Sequence, residues 1–152
     1  MNNYVVAFDT ANEMISLGIG LLDRVKKTID CIASREVGAF RASNVKLLPE
    51  IDALLADAGI SRGEVACVVC GRGPGSFTGV RICLASAKGI AIGLGVPLFG
   101  VSTSDAQAWQ QWANGVRGSV VVLGDAMRKE VYPVRYHVTD SGIAVSYTHL
   151  RA

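Results

Sequence analysis

Residues 71–81, Gly-Arg-Gly-Pro-Gly-Ser-Phe-Thr-Gly-Val-Arg, constrain the fold of this chain more than any other stretch. They follow Val65-Ala66-Cys67-Val68-Val69-Cys70, an unbroken apolar run of buried-strand type, and precede a segment with helical periodicity. A buried strand that turns through glycines straight into a helix is the unit of an α/β protein. Such a turn can present backbone N–H groups and the positive end of a helix to an anion. It can equally be a tight structural turn, with Pro74 and the glycines setting backbone angles and Phe77 plugging the core; the residues leave both readings open. Known phosphate and nucleophile loops do not fit. The dinucleotide fingerprint needs glycine where Thr78 stands, a P-loop needs Gly-Lys-Ser/Thr, and a nucleophile elbow around Ser76 needs glycines where Pro74 and Thr78 stand.

Elsewhere the apolar period changes along the chain. Residues 4–8 form a short strand ending at Asp9-Thr10, residues 14–22 alternate Ile15, Leu17, Ile19 and Leu21 with small residues, and residues 27–37 continue the pattern; together they predict a three-stranded meander. From Ser43 to Ala58, Leu47, Ile51, Leu54, Leu55 and Ala58 recur at helical spacing. Ser43 or Asn44 is the expected cap, Gly59 the expected left-handed end, and Pro49 is expected near the start. A second helix is predicted over 78–94, with Gly89 and Gly93 as close-approach positions. A strand over 98–101 and a helix capped by Ser102-Thr103-Ser104-Asp105, with Trp109 and Trp112 in the core, should follow. Beyond Asn114-Gly115 the pattern restarts, with a strand over 119–123, a turn over 124–128 and a strand over 131–138. The acidic residues Asp9 and Asp125 end comparable strands, which suggests a second copy of one unit.

Fifteen basic and thirteen acidic residues leave a net charge of +2, too little for affinity resting mainly on phosphate neutralisation. The start Met1-Asn2-Asn3 lacks a basic region, and the longest apolar stretch, 89–101, is broken by glycines and Pro97; neither a leader nor a membrane span is expected. Cys67 and Cys70 have a C-x-x-C spacing, but on a strand they point to opposite faces and cannot share a metal. A reducing, cytoplasmic location is expected.

The loop 71–81, with Ala87-Lys88-Gly89-Ile90-Ala91 and Gly100-Val101-Ser102-Thr103 after it, closely resembles the bacterial TsaB family, the dimerisation subunit of the tRNA threonylcarbamoyladenosine machinery. Ala7-Phe8-Asp9-Thr10-Ala11, Leu47-Leu48-Pro49 and Asp125-Ala126 followed by Glu130-Val131-Tyr132 extend the resemblance over nearly the whole chain. It implies a ribonuclease-H-like α/β fold of the actin, sugar-kinase and heat-shock-chaperone type: one complete half (1–114), the beginning of a second (115–145), and a tail (146–152) foreign to the family, joined to a truncated frame.

The resemblance also implies a scaffold without catalysis. Such a subunit pairs with a paralogous catalytic subunit, or with a second copy of itself, and works with an ATPase subunit. ATP and metal are expected on the partner, tRNA is held mainly through partners, and threonylcarbamate passes to the adenosine beside the anticodon in tRNAs reading codons that begin with adenine. The expected partner interface is Leu47, Leu48, Ile51, Ala87, Lys88 and Gly89. Gly73, Pro74, Gly75, Ser76, Phe77, Thr78, Gly79 and Arg81 form the family loop and a candidate anion contact, and Asp9, Thr10 and Asp125 are the degenerate nucleotide-site positions. The residues themselves support lost catalysis: His137 and His149 are the only histidines, Ser43 stands where relatives carry a metal-binding histidine, and Glu13 would repel phosphate after the first strand. No metal is therefore expected. Asp9, Asp125 and Glu130 can be read as a magnesium set, but Asp9 and Asp125 as turn caps, with Glu130 paired to Arg128, is preferred. The alternative from the enzyme class is a small ATPase or sugar-kinase-like phosphotransferase using Asp9, Asp125 and the glycine loop.

Overall fold

The computed structural model describes residues 3–39, 42–127 and 130–146. The meander forms as the alternation predicts: β1 (Tyr4–Asp9), β2 (Met14–Asp23) and β3 (Thr28–Gly38) pair antiparallel, with Asp9 opposite Ser16 and Met14 opposite Gly38. After helix α1 (Ser43–Asp57), strand β4 (Val65–Gly71) enters parallel to β1, and β5 (Leu98–Val101) lies parallel beyond β4. The sheet order is β3-β2-β1-β4-β5. Helix α2 (Phe77–Leu94) makes the crossover between β4 and β5, and both α1 and α2 pack on one face.

That face is the main core. Val6, Phe8, Ile15, Leu17, Ile19, Val68 and Cys70 point from the strands to meet Leu47, Ile51, Leu54 and Leu55 of α1 and Cys83, Ala87 and Ala91 of α2. The small residues at 83, 87 and 91 let α2 lie close on the sheet. α1 ends in a Schellman motif at Gly59 (φ +68°), where the Ile60 N–H donates to the Leu55 carbonyl at 2.9 Å and that of Gly59 to Ala56 at 3.0 Å. Its start differs from expectation. Neither Ser43 nor Asn44 caps it: Ala42 is the N-cap residue, and the Ser43 hydroxyl turns back to the Ala39 carbonyl at 3.5 Å. Pro49 stands in the second turn on the exposed side, because the helix begins six residues before it.

A second, smaller layer follows. Helix α3 (Thr103–Ala113) lies on a three-stranded antiparallel sheet of β6 (Gly118–Met127), β7 (Glu130–Thr139) and β8 (Gly142–Ser146), around Ala108, Val122, Tyr136 and Val138. Residues 124–127 of the turn expected over 124–128 are strand instead. β6 runs to Met127 with a bulge between Asp125 and Met127, so Asp125 is a strand residue opposite Val131. Arg128 lies outside the described residues, as do His149 and residues 147–152 of the expected tail.

Candidate functional site

The glycine loop, the turn after β1 and the first turn of α3 meet at one place. Asp9, at the end of β1, accepts the Ala11 N–H at Oδ1 (2.7 Å) and the Thr103 hydroxyl at Oδ2 (2.6 Å). Thr103 Oγ1 in turn accepts the Gly73 N–H at 3.1 Å, and the Thr103 N–H donates to the Gly73 carbonyl at 2.9 Å. The Ser76 N–H donates to the Ala11 carbonyl at 2.7 Å, and the Thr10 hydroxyl donates to the Gly79 carbonyl at 2.7 Å. Ser76 caps α2 by accepting the Gly79 N–H at 3.2 Å, while the Val80 N–H donates to the Ser76 carbonyl at 2.9 Å. The N–H groups of Gly73, Ser76, Gly79 and Val80 are thus spent on acceptors of the chain itself. Three glycines are required by contact: a Cβ at Gly71 would stand 2.0 Å from Asp9 Oδ2, at Gly75 2.5 Å from the Ala11 carbonyl oxygen, and at Gly79 2.0 Å from that of Thr10. These bonds tie the glycine loop to the turn after β1 and to the first turn of α3. Phe77, however, does not plug the core; it is 74% exposed, with the Arg81 guanidinium 5.3 Å from its ring centre. The helix starts at Phe77, which turns this side chain away from the sheet. Thr78 is also exposed, and a Cβ at Gly124 would stand 3.6 Å from Pro74 Cγ.

On the sheet face opposite α1 and α2, beside Asp9, a cleft of about 240 Å³ is lined by Ala7, Ser16, Gly18, Val69, Gly71 and Val101 among others. It is apolar and offers no ring of phosphate donors. Among the described residues, no group of three or more His, Cys, Asp or Glu side chains is placed to hold a metal ion, so Asp9, Asp125 and Glu130 do not assemble as a set. Glu130 stands opposite Met127 on β7, and His137 is exposed on the same strand. Below Asp9, burial pushes the Cys83 thiol up to about 12, with the nearby carboxylate adding to the shift; the Cys70 thiol is raised for the same reasons.

The outer side of the helix pair is the other notable surface. Val45 and Leu48 on α1 are 65% and 49% exposed, and Ile92 on α2 is 81% exposed. Arg81, Ala85, Lys88, Gly89 and Gly93 are exposed along α2 as well, with open space where a Cβ of Gly89 or Gly93 would lie. α2 is long and apolar enough to cross a membrane by length and composition alone, with a mean hydropathy of 1.4, yet its Cys83-Ala87-Ala91 edge is built into the sheet core. The expected interface set therefore divides. Leu48, Lys88 and Gly89 face outward, whereas Leu47, Ile51 and Ala87 are buried in the chain's own core and cannot reach a partner; residues at helical spacing from the core stripe must join it. Ile92, Val45 and Phe77 belong to the exposed surface instead. Ile92 lies one residue past the buried Ala91, and that offset from the 83-87-91 stripe is the sequence signal for its exposure.

Of the two tryptophans expected in the core, Trp112 packs against the second core as expected and Trp109 does not. Trp109 is 46% exposed and meets Trp112 edge-to-face at 5.4 Å, while Trp112 Nε1–H donates to the Thr139 carbonyl at 2.9 Å. Sequence reasoning also missed what Thr103 and Asp105 do. Asp105 accepts the buried Tyr136 hydroxyl at 2.6 Å. The run Ser102-Thr103-Ser104-Asp105 reads as a simple cap, but it holds more hydroxyl and carboxyl groups than capping uses.

A five-stranded sheet of this order, with two helices on one face and the chain passing on into a second β-unit, defines a ribonuclease-H-like protein of the actin-like class. Residues 32–149 match the family model described as "TsaD: tRNA N6-adenosine threonylcarbamoyltransferase". The chain belongs to that family, among its TsaB members. It is 32% identical over 139 residues to the tRNA threonylcarbamoyladenosine biosynthesis protein TsaB of Escherichia coli, covering 91% of this chain and 57% of the relative. An uncharacterized protein of Mycobacterium tuberculosis is 36% identical over 132 residues, 87% of this chain and 58% of its own. YeaZ from Pseudomonas aeruginosa superposes with a TM-score of 0.81 at 28% identity, covering 96% of this chain and 65% of that one. The chain thus spans less than two thirds of the length of these relatives.

Proposed function

We propose that the chain acts as a non-catalytic accessory subunit in the cytoplasmic synthesis of tRNA threonylcarbamoyladenosine, docking through the outer side of α1 and α2 onto a paralogous TsaD-type catalytic subunit. The observation that carries the reading is the apolar outer surface of the helix pair, where Val45, Leu48 and Ile92 stand in solvent beside exposed Gly89 and Gly93. Scattered exposed apolar residues are ordinary, but several on the outer side of two packed helices, beside glycines that let another backbone come close, fit a helix–helix interface. A second copy of the chain fits the same surface in the absence of that subunit. The partner would hold ATP and metal, a separate ATPase subunit would act on the pair, and tRNA would be bound mainly by the partners. The absence of catalysis here is supported by Asp9, whose two carboxylate oxygens are engaged by Ala11 and Thr103.

Co-purification with the TsaD-type subunit of the same organism tests the reading. A stoichiometric complex is expected, together with no heat of ATP–magnesium binding to the isolated chain in calorimetry. Micromolar ATP–magnesium binding without complex formation would instead favour a phosphotransferase built on Asp9, Asp125 and the glycine loop.

A further inference from the structure

Side-chain hydrogen bonds from both sheets converge on the first turn of α3. Thr103, 5% exposed, donates its hydroxyl to Asp9 of the first sheet and accepts from the Gly73 N–H. Two residues on, Asp105 accepts the hydroxyl of Tyr136, which is fully buried at the centre of the second sheet. On the other side, Asp9 holds the Ala11 N–H, the Ala11 carbonyl holds the Ser76 N–H, and Thr10 holds the Gly79 carbonyl in the first turn of α2. Two hydrogen-bonded networks therefore meet in one helical turn: one runs from the start of α2 through the turn after β1 and Asp9 to Thr103, the other joins Asp105 to Tyr136, and the α3 backbone between Thr103 and Asp105 links them.

We propose that the first turn of α3 couples the helix pair to the second sheet, with the Thr103 hydroxyl as the positioning group that joins the two halves. A hydroxyl that donates to a carboxylate and accepts from a backbone N–H has its direction fixed at both ends, so α3 cannot shift relative to β1 without breaking a charge-assisted bond. Because Asp105 lies in the same helical turn, a shift at Thr103 moves the acceptor of Tyr136. Hydrogen-bond networks and packed side chains are among the routes by which energetic coupling between sites is carried. The last arm of the test, and only that arm, rests on the reading of α2 as a docking surface.

Hydrogen exchange by mass spectrometry on the full chain tests the coupling. Thr103→Val keeps the shape and removes the hydroxyl; it should speed exchange about tenfold both in 73–79 and in β7 around Tyr136, on the scale of one lost charge-assisted bond. Thr103→Ser should restore wild-type rates in both places, and Thr103→Val combined with Tyr136→Phe should be no faster in β7 than the faster single variant. Faster exchange confined to 73–79 would overturn the coupling, as would effects of the two substitutions that multiply. If Thr103→Val does not fold, the reciprocal reading decides: Tyr136→Phe should speed exchange in 73–79, and unchanged rates there would refute the proposal. With a TsaD-type subunit bound, β7 should exchange more slowly in the wild type but not in Thr103→Val. A partner that binds without slowing β7 would overturn the coupling, whereas a partner that fails to bind would overturn only the docking reading.

Discussion

Alanine placed at Gly79 and at Gly89 should change stability in opposite directions, although both glycines belong to α2. In an exposed helix interior, glycine to alanine gains about 1 kcal/mol. At Gly89 nothing lies within 4 Å of the added methyl, so the full gain is expected. At Gly79 the methyl would stand 2.0 Å from the Thr10 carbonyl oxygen and 3.1 Å from its carbon. Both are backbone atoms, and Thr10 is held by its own hydroxyl on the Gly79 carbonyl, so no side chain can swing aside. Overpacking of this kind costs about 3 kcal/mol, which leaves Gly79→Ala less stable by about 2 kcal/mol after the helix gain is subtracted. At about 2–4 °C per kcal/mol for a chain of this size, Tm should fall by roughly 4–8 °C for Gly79→Ala and rise by roughly 2–4 °C for Gly89→Ala. Thermal unfolding followed by circular dichroism reads both. A neutral or stabilised Gly79→Ala would refute the tie between the glycine loop and the turn after β1.

Alkylation of the native chain, followed by peptide mass spectrometry at pH 8, should label exposed Cys31 first and leave Cys70 and Cys83 unmodified until denaturant is added; at that pH the Cys83 thiol, raised to about 12 by burial, carries no thiolate. Rapid native labelling of Cys83 would contradict the packing of α2. Glu64 accepts the N–H and hydroxyl of Ser61 at 2.9 and 2.8 Å, which lowers its carboxyl below the usual value of 4.5. Its contribution to stability is present above that value and disappears as pH falls through the lowered one. Denaturant midpoints measured across this range should therefore show a shallower acid loss in Glu64→Gln than in the wild type, and identical slopes would contradict the assignment. Leu48→Glu should leave the chain folded, since its side chain is half exposed, whereas Leu47→Glu should unfold it by placing a carboxylate in the core; far-ultraviolet dichroism separates the two.

The first sheet was legible because its signals are local. The alternation at Ile15, Leu17 and Ile19 and the 3.6-residue spacing of Leu47, Ile51 and Leu54 each state which face is buried, and Gly59 marks a helix end that only a left-handed residue completes. What periodicity does not state is how far a core face extends around a helix. The small residues Ala87 and Gly89 look alike in sequence, yet one is fully buried and the other points to solvent. Phe77 misled for a related reason: an aromatic beside glycines reads as a core plug, but the helix frame set by the Ser76 cap directs it outward. The tie at Asp9 was invisible because its partner Thr103 is 94 residues away, and only the parallel placement of β1, β4 and β5 brings the two together. Asp125 was assigned to a turn because a glycine precedes it, whereas a bulge lets the strand continue past both.

Calorimetric titration of the chain into a TsaD-type subunit, with wild type and Ile92→Glu side by side, tests the docking surface most directly. The exposed Ile92 has no role in the chain's own core, so its replacement should leave folding intact. Wild type should bind with one-to-one stoichiometry, and Ile92→Glu should weaken binding by about a hundredfold, as burial of an unpaired charge at the centre of an interface would require. Equal affinities for the two chains, or no binding by the wild type, would contradict the account.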